Sequence, residues 1–63
     1  MKSPPAFKVA DRVVSFRGER ATITDVIIEH AWEKSHKVMV LPDDPDGTLE
    51  PTIIYYEGVF FHA

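Results

Sequence analysis

The stretch that decides the fold is RVVSFRGERATITDVIIE, residues 12–29. β-branched and aromatic residues dominate both of its halves, which is typical of strands rather than helices. Gly18 stands between the halves, where a short connection needs a residue that accepts a positive φ without strain. The stretch therefore predicts two strands, 12–17 and 21–29, with a bulge or bend at 26–28 where the apolar alternation is lost.

Beyond these two strands the chain alternates short extended segments with turn chemistry. The segment PDDPDG, residues 42–47, is a loop because it holds two prolines, three aspartates and a glycine. Pro51 interrupts the extended segment that follows, since proline cannot donate to a strand ladder. No stretch shows the 3.6-residue apolar period of a long helix. The remaining predicted strands are 36–41, then 48–50 with 52–56, and a short closing strand or turn at 59–61.

Two motifs resemble the SH3-like small barrels. They are FKVADRVV (7–14) with RGERATITDV (17–26), and YYEGVF (55–60) near the end. Such barrels usually carry glycine where this chain has Ala10 and Ala21. The combination is also similar to short uncharacterised proteins of actinobacteria and their phages. The resemblance implies an all-β, SH3-like small barrel of about five short antiparallel strands, closed so that few strand edges stay exposed.

The length of 63 residues predicts a single domain, 7–63, preceded by a flexible arm over residues 1–6. A chain this short buries only about 60% of its unfolded surface, and it contains no cysteine for a disulfide. Oligomerisation is one of the ways in which such small domains gain stability. The predicted core consists of Val9, Val14, Phe16, Ile23, Val26, Ile28, Val38, Val40, Ile53 and Val59.

Charge is distributed unevenly along the chain. The net charge is −3, but residues 1–20 carry +3 and residues 21–63 carry −6. The negative total disfavours general nucleic-acid binding, which depends on neutralising phosphates. No apolar run approaches the about 20 residues of a membrane span, and the first residues lack the apolar stretch of a signal peptide. We therefore expect no membrane association and a cytoplasmic location.

Aromatic residues give the main indication of function. A barrel this small houses a few large rings in its interior, so the others are expected on the surface or in a contact with another chain. Trp32 lies in a polar segment, and Tyr55 and Tyr56 must point to opposite sides of a strand. Each ring packing on its own barrel is the alternative. The candidate protein-interface residues are Trp32, Tyr55, Tyr56 and Phe61.

A second candidate surface is basic. Lys8, Arg12, Arg17 and Arg20 could form a strip beside Phe16, in which cations hold phosphates and the ring stacks on a base. The alternative is a solvated sheet face whose charges keep the strand edges soluble.

Metal binding, cofactors and catalysis have little support in the sequence. Residues 30–35 are interpreted as a loop, with one helical turn as the alternative. If residues 29–36 form a helical turn, Glu33 shares a face with His30 and with Glu29. The four possible ligands Glu29, His30, Glu33 and His36 nevertheless match no zinc signature. Asp43, Asp44, Asp46 and Gly47 echo a calcium loop, yet Pro45 interrupts the run and no helices flank it. No Gly-x-Ser-x-Gly motif and no glycine-rich phosphate loop occur. We expect no metal, no cofactor and no enzymatic activity.

The sequence thus favours a small non-catalytic interaction module that binds another protein or itself. One alternative is a nucleic-acid-binding accessory protein that uses the basic N-terminal third. The other is an acidic, phage-type inhibitor whose loop at 43–50 docks on a basic host protein. An oligomeric small-barrel reductase is the enzyme alternative, for which the sequence offers no motif.

Overall fold

The computed structural model describes residues 4–28 and 36–63 and shows an all-β domain. Five antiparallel strands form one sheet, and the described residues contain no α-helix. The predicted small all-β class is therefore confirmed. The strands are β1 (Arg12–Ser15), β2 (Arg20–Ile27), β3 (Lys37–Pro42), β4 (Tyr55–Tyr56) and β5 (Phe60–His62), with a 3₁₀ turn at Glu57–Val59 between the last two.

The strand order across the sheet is β4-β3-β2-β1-β5. β4 and β5 are the two edges, and no ladder joins them within the described residues, so the sheet is open where a closed barrel was predicted. The reason lies in the lengths of the last elements. β4 offers only two residues, both paired with β3, and the 3₁₀ turn then carries the chain to β5 on the far side of β1.

The irregularity in β2 lies earlier than predicted. Ile23 pairs with Val40 and Asp25 with Met39, so Thr24 is the extra residue of a bulge. The predicted position, residues 26–28, is wrong by about two residues. The bulge lets Thr24 and Asp25 both face solvent and returns Val26 to the side of the core.

The core lies on one face of the sheet and is closed by residues from outside the strands. Phe7 precedes β1, and Leu49 belongs to the connection between β3 and β4. Phe7 is anchored by a ring contact with His62, at 4.6 Å between centroids, and by the neighbouring Ala6 N–H, which donates to Glu57 Oε2 at 3.0 Å. The buried hydrophobic residues are Phe7, Val13, Ala21, Ile23, Val38, Val40, Leu49 and Phe60.

The predicted core is correct at three residues, partly correct at three valines, of which Val26 and Val59 pack against the core, and wrong at four residues. Ile23, Val38 and Val40 are buried, while Val14, Val26 and Val59 are half-buried. Val9, Phe16, Ile28 and Ile53 are exposed, and these four predictions are wrong.

The error in β1 is one of phase. Side chains alternate between the faces of a strand, so an interpretation that is shifted by one residue inverts the whole strand. Val13 and Ser15 face the core instead of Val14 and Phe16. Burial of Ser15 is compatible with its polarity because its Oγ accepts hydrogen bonds from the N–H groups of Arg17 and Glu19, at 3.2 and 3.3 Å.

The predicted strand at 48–50 does not form, and that at 52–56 shrinks to Tyr55–Tyr56. Pro51 and Thr52 form a turn instead, as expected where a proline removes a ladder donor. Leu49 therefore lies in a loop rather than a strand, and its side chain is buried in the core.

Candidate interaction surfaces

The side of the sheet that faces away from the core carries several exposed apolar side chains. Phe61 lies opposite Val14 across the β1–β5 ladder, and Leu41 lies opposite Thr22 across the β2–β3 ladder. Tyr56 lies opposite Lys37, whose Nζ is 5.4 Å from the centre of the tyrosine ring. Phe61, Leu41 and Tyr56 are 58%, 56% and 56% exposed. We call these three residues together with Val14 the outward face.

The structure separates the predicted protein-interface residues. Tyr56 and Phe61 belong to the outward face, although they lie on opposite edges of the sheet. Tyr55 turns to the core side, where its ring packs edge-on against Phe60 at 5.7 Å and its hydroxyl accepts the N–H of Glu50 at 2.9 Å. Trp32 lies outside the described residues.

Two of the four predicted basic residues, Arg12 and Arg20, lie beside Asp43. Arg12 makes a two-pronged ion pair with Asp43, with 2.8 Å between Nη1 and Oδ1, and its Nη1 also donates to Thr22 Oγ1 at 2.7 Å. The hydrogen bond and charge of Arg12, aided by the charge of Arg20, lower the pKa of Asp43, and Asp43 in turn raises the pKa of Arg12. The charge of Arg12 is therefore largely matched within the chain.

The other two cations lie elsewhere. Arg17 is at the tip of the β1–β2 hairpin, and Lys8 is in a turn closed by the hydrogen bond from Asp11 N–H to the Lys8 carbonyl at 3.0 Å. A phosphate backbone would thus meet Arg12 already paired with Asp43, and Arg17 and Lys8 on two different turns.

The acidic loop uses its carboxylates for its own structure. Asp43 is held by Arg12, and Asp44 Oδ1 accepts the N–H of Asp46 at 2.9 Å, while the backbone carbonyl of Asp44 accepts the N–H of Gly47 at 3.1 Å. Residues 4–28 and 36–63 contain no cluster of three or more histidine, cysteine or acidic side chains that could hold a metal ion. Three of the four metal ligands considered from the sequence, Glu29, His30 and Glu33, lie outside the described residues, and the fourth, His36, is buried.

Glu19 is the organising residue that sequence reasoning missed. Its carboxylate accepts hydrogen bonds from Thr48 Oγ1 at 2.6 Å, from Thr48 N–H at 2.9 Å and from Leu49 N–H at 3.3 Å. These hydrogen bonds, the one from the Thr48 hydroxyl above all, lower the pKa of Glu19. The carboxylate thereby fastens the connection between β3 and β4 to the β1–β2 hairpin. We call this set of contacts the Glu19 clamp.

Gly47 is required next to the clamp for steric reasons. A Cβ at this position would lie 2.6 Å from Glu19 Oε2 and 3.3 Å from the carbonyl oxygen of Asp44. A close approach of this kind is a common use of glycine. The sequence signals a turn at Gly47 but gives no sign that a glutamate 28 positions earlier is the neighbour.

The clamp shapes a groove of about 410 Å³ beside the hairpin tip. Phe16 forms one wall and is 68% exposed, the most exposed of the large apolar side chains described. The guanidinium carbon of Arg17 is 5.7 Å from the centre of the Phe16 ring. We call this the hairpin groove, and its lining consists of Ser15, Phe16, Arg17, Thr48, Leu49, Tyr55 and Val59.

A second groove of about 410 Å³ follows the end of β3. Its wall combines Leu41 and Pro42 with six residues of the connection to β4: Pro45, Gly47, Leu49, Glu50, Pro51 and Thr52. It carries no cation among its lining residues, so it differs in charge from the hairpin groove.

None of the described residues belongs to a helix long and apolar enough to span a membrane. Comparison of the chain with protein-family models, with curated proteins and with solved structures gave no match. The function must therefore be argued from these surfaces alone.

Proposed function

We propose that this chain is a small non-catalytic interaction module that binds protein, and that its outward face associates with a second copy of the chain. One observation carries the proposal: Phe61, Leu41 and Tyr56 are each more than half exposed on the same side of a single open sheet. Apolar side chains that share a face are typical of interaction sites, whereas scattered ones need no explanation.

The energetics of a small domain support association. Each Å² of apolar surface removed from water contributes about 25 cal/mol, and a chain of this length has little core from which to draw stability. Two copies that cover each other's outward face would add buried apolar area without lengthening the chain. An isologous pair of this kind is the commonest form of oligomer.

Charge gives the pairing its geometry. Arg12 in β1 and Arg20 in β2 lie between Phe61 on one edge strand and Leu41 and Tyr56 on the other side of the sheet, and with Asp43 they form a compact cluster of both signs. Charges of both signs within an interface fix the register in which two copies meet. The same pairing supports protein over nucleic acid as the partner, because Asp43 already matches Arg12. A cytoplasmic location remains part of the proposal.

The oligomeric state tests the proposal directly. We expect size-exclusion chromatography with light scattering to give a dimer mass for the wild-type chain at about 100 µM, since weak interfaces bind in the micromolar range. Phe61→Ser should give a monomer. Phe16→Ser is the matched control, since Phe16 is equally apolar and exposed but lies in the hairpin groove, and this variant should stay dimeric.

A wild-type monomer at every concentration would refute self-association through this face. Equal effects of the two serine variants would also count against it, because the outward face would then have no special role.

A further inference from the structure

We infer that the hairpin groove binds an extended peptide that carries a carboxylate next to an aliphatic side chain. This site is separate from the outward face, so the inference goes beyond the self-association proposed above. It rests on three features of the groove: an exposed ring on a hydrogen-bonded turn, a guanidinium beside it with its hydrogen-bonding fork available, and an apolar floor.

The backbone that carries the exposed ring is fixed by hydrogen bonds. Phe16 N–H donates to the carbonyl of Val59 at 3.1 Å, and Ser15 N–H donates to the carbonyl of Glu19 at 2.7 Å. Gly18, with φ +84°, closes the turn through its N–H to the carbonyl of Ser15 at 2.9 Å. A ligand that covers the ring therefore orders one side chain and no loop, which keeps the entropic cost of binding small.

The floor of the groove is apolar and equally fixed. Leu49 is buried, and the Glu19 clamp holds its backbone N–H. Tyr55 is immobilised by its contact with Phe60 and by the hydrogen bond that its hydroxyl accepts from Glu50. The groove can therefore take an aliphatic side chain between Phe16 and Tyr55 without rearranging the domain.

The positive charge of Arg17 at the edge of the groove favours a ligand that carries a carboxylate. Arg17 lies over the Phe16 ring and forms no salt bridge with the acidic residues of 4–28 and 36–63. Its charge helps to lower the pKa of Glu19, but that carboxylate is occupied by the three hydrogen bonds of the clamp. A guanidinium presents a planar fork that fits a carboxylate, so an aspartate or glutamate in the ligand supplies the missing partner.

The same charges favour a peptide over a nucleic acid. A single-stranded nucleic acid needs a row of cations along its backbone, and the groove offers only Arg17 among its lining residues. Arg12 is matched by Asp43, and the chain as a whole carries −3. A peptide with a single carboxylate therefore matches the single guanidinium of Arg17 better than a nucleic acid with many phosphates does.

Selection from a random heptapeptide library displayed on phage tests the inference, because it lets the groove choose its own ligand. The bait is the immobilised full chain. We expect the enriched peptides to hold an acidic residue within two positions of an aliphatic one. Titration of a ¹⁵N-labelled chain with the best synthetic peptide should shift the amide signals of Phe16, Arg17, Thr48 and Val59.

Matched variants then tie binding to the groove. Arg17→Gln should weaken the peptide about fivefold, the upper range for one exposed ion pair, while Arg20→Gln, which lies outside the groove, should leave affinity unchanged. Phe16→Ser should abolish binding. Phe61→Ser should bind the peptide like the wild type even where it abolishes self-association, so the two proposals fail or hold separately.

Several results would overturn the inference. These are no enrichment at all, enriched peptides without an acidic residue, equal affinities for the Arg17→Gln and wild-type chains, or amide shifts confined to other surfaces. Tighter binding of the oligonucleotide dT8 than of the best peptide at 150 mM salt would assign the groove to nucleic acid instead. Displacement of the peptide by raising the protein concentration would assign it to a second copy of the chain.

Discussion

Ala10→Gly should stabilise this protein, although a methyl group is lost. Ala10 has φ +79°, and it is the one non-glycine residue with a positive φ in the described part of the chain. Its N–H donates to the carbonyl of Ile23 at 2.8 Å, which fixes the backbone in this conformation.

The size of the effect follows from two opposing contributions. The left-handed conformation costs an L-residue about 1–2 kcal/mol, and glycine removes that cost. Glycine also adds about 0.5–1 kcal/mol of backbone entropy to the unfolded chain. Ala10 is exposed, so its methyl group contributes little packing. The net stabilisation is about 0–1.5 kcal/mol, and its central value of about 0.75 kcal/mol raises the melting temperature of a domain this size by about 3–6 °C.

Thermal and urea unfolding, followed by circular dichroism, measure the change. Ala6→Gly is the matched control, because Ala6 is also exposed but has no positive φ, and it should lower stability. The reverse substitution offers a second control: Gly58 has an ordinary φ and open space around it, so Gly58→Ala should stabilise. If Ala10→Gly lowers the melting temperature as Ala6→Gly does, the strain assigned to Ala10 does not exist.

Two further predictions concern the Glu19 clamp. In the folded chain the pKa of Glu19 lies below its ordinary value of 4.5, so the ionised carboxylate stabilises the fold fully above pH 4.5, and this stabilisation is lost as pH falls through the lowered pKa. Urea unfolding at pH 7 should therefore show Glu19→Gln to be less stable than the wild type. The difference in unfolding free energy between the two chains should narrow by pH 3. A pH-independent gap would contradict this. Gly47→Ala should destabilise the wild-type chain, because the new Cβ would lie 2.6 Å from Glu19 Oε2. The same substitution should cost less in a chain that already carries Glu19→Ala, where that oxygen is absent. A double-mutant cycle measures the difference.

The strand plan could be predicted from the sequence because it depends on local signals. The segment 12–29 gave the β1–β2 hairpin, and Gly18 does adopt the positive φ that its position suggested. β3 was predicted to within one residue at each end. The loop at 42–47 was also clear, because proline, aspartate and glycine determine backbone conformation without help from distant residues.

Which side chains of each strand point to the core could not be predicted from local signals. VVSF, residues 13–16, offers two phases, and hydrophobicity alone favours the one that buries Phe16. The structure adopts the other phase because the Ser15 hydroxyl is satisfied by the turn that follows it. A buried polar residue costs little once its hydrogen bonds are made, whereas a composition argument counts it as unfavourable.

The candidate site depends even more on partners that are distant in sequence. The hairpin groove exists because Glu19 reaches Thr48 and Leu49, 29 and 30 positions away, and because Gly47 leaves room for its carboxylate. The strand propensity of Thr48 and Leu49 favours an extended strand here, whereas the hydrogen bonds that these residues make to Glu19 favour a loop. Tertiary bonding prevails because Pro51 prevents the strand from pairing, and the backbone groups that a ladder would have satisfied find a carboxylate instead. Phe16 is exposed through the strand phase that Ser15 permits, and Arg17 forms no salt bridge with any described residue, so both side chains are available to the peptide that we propose for the groove.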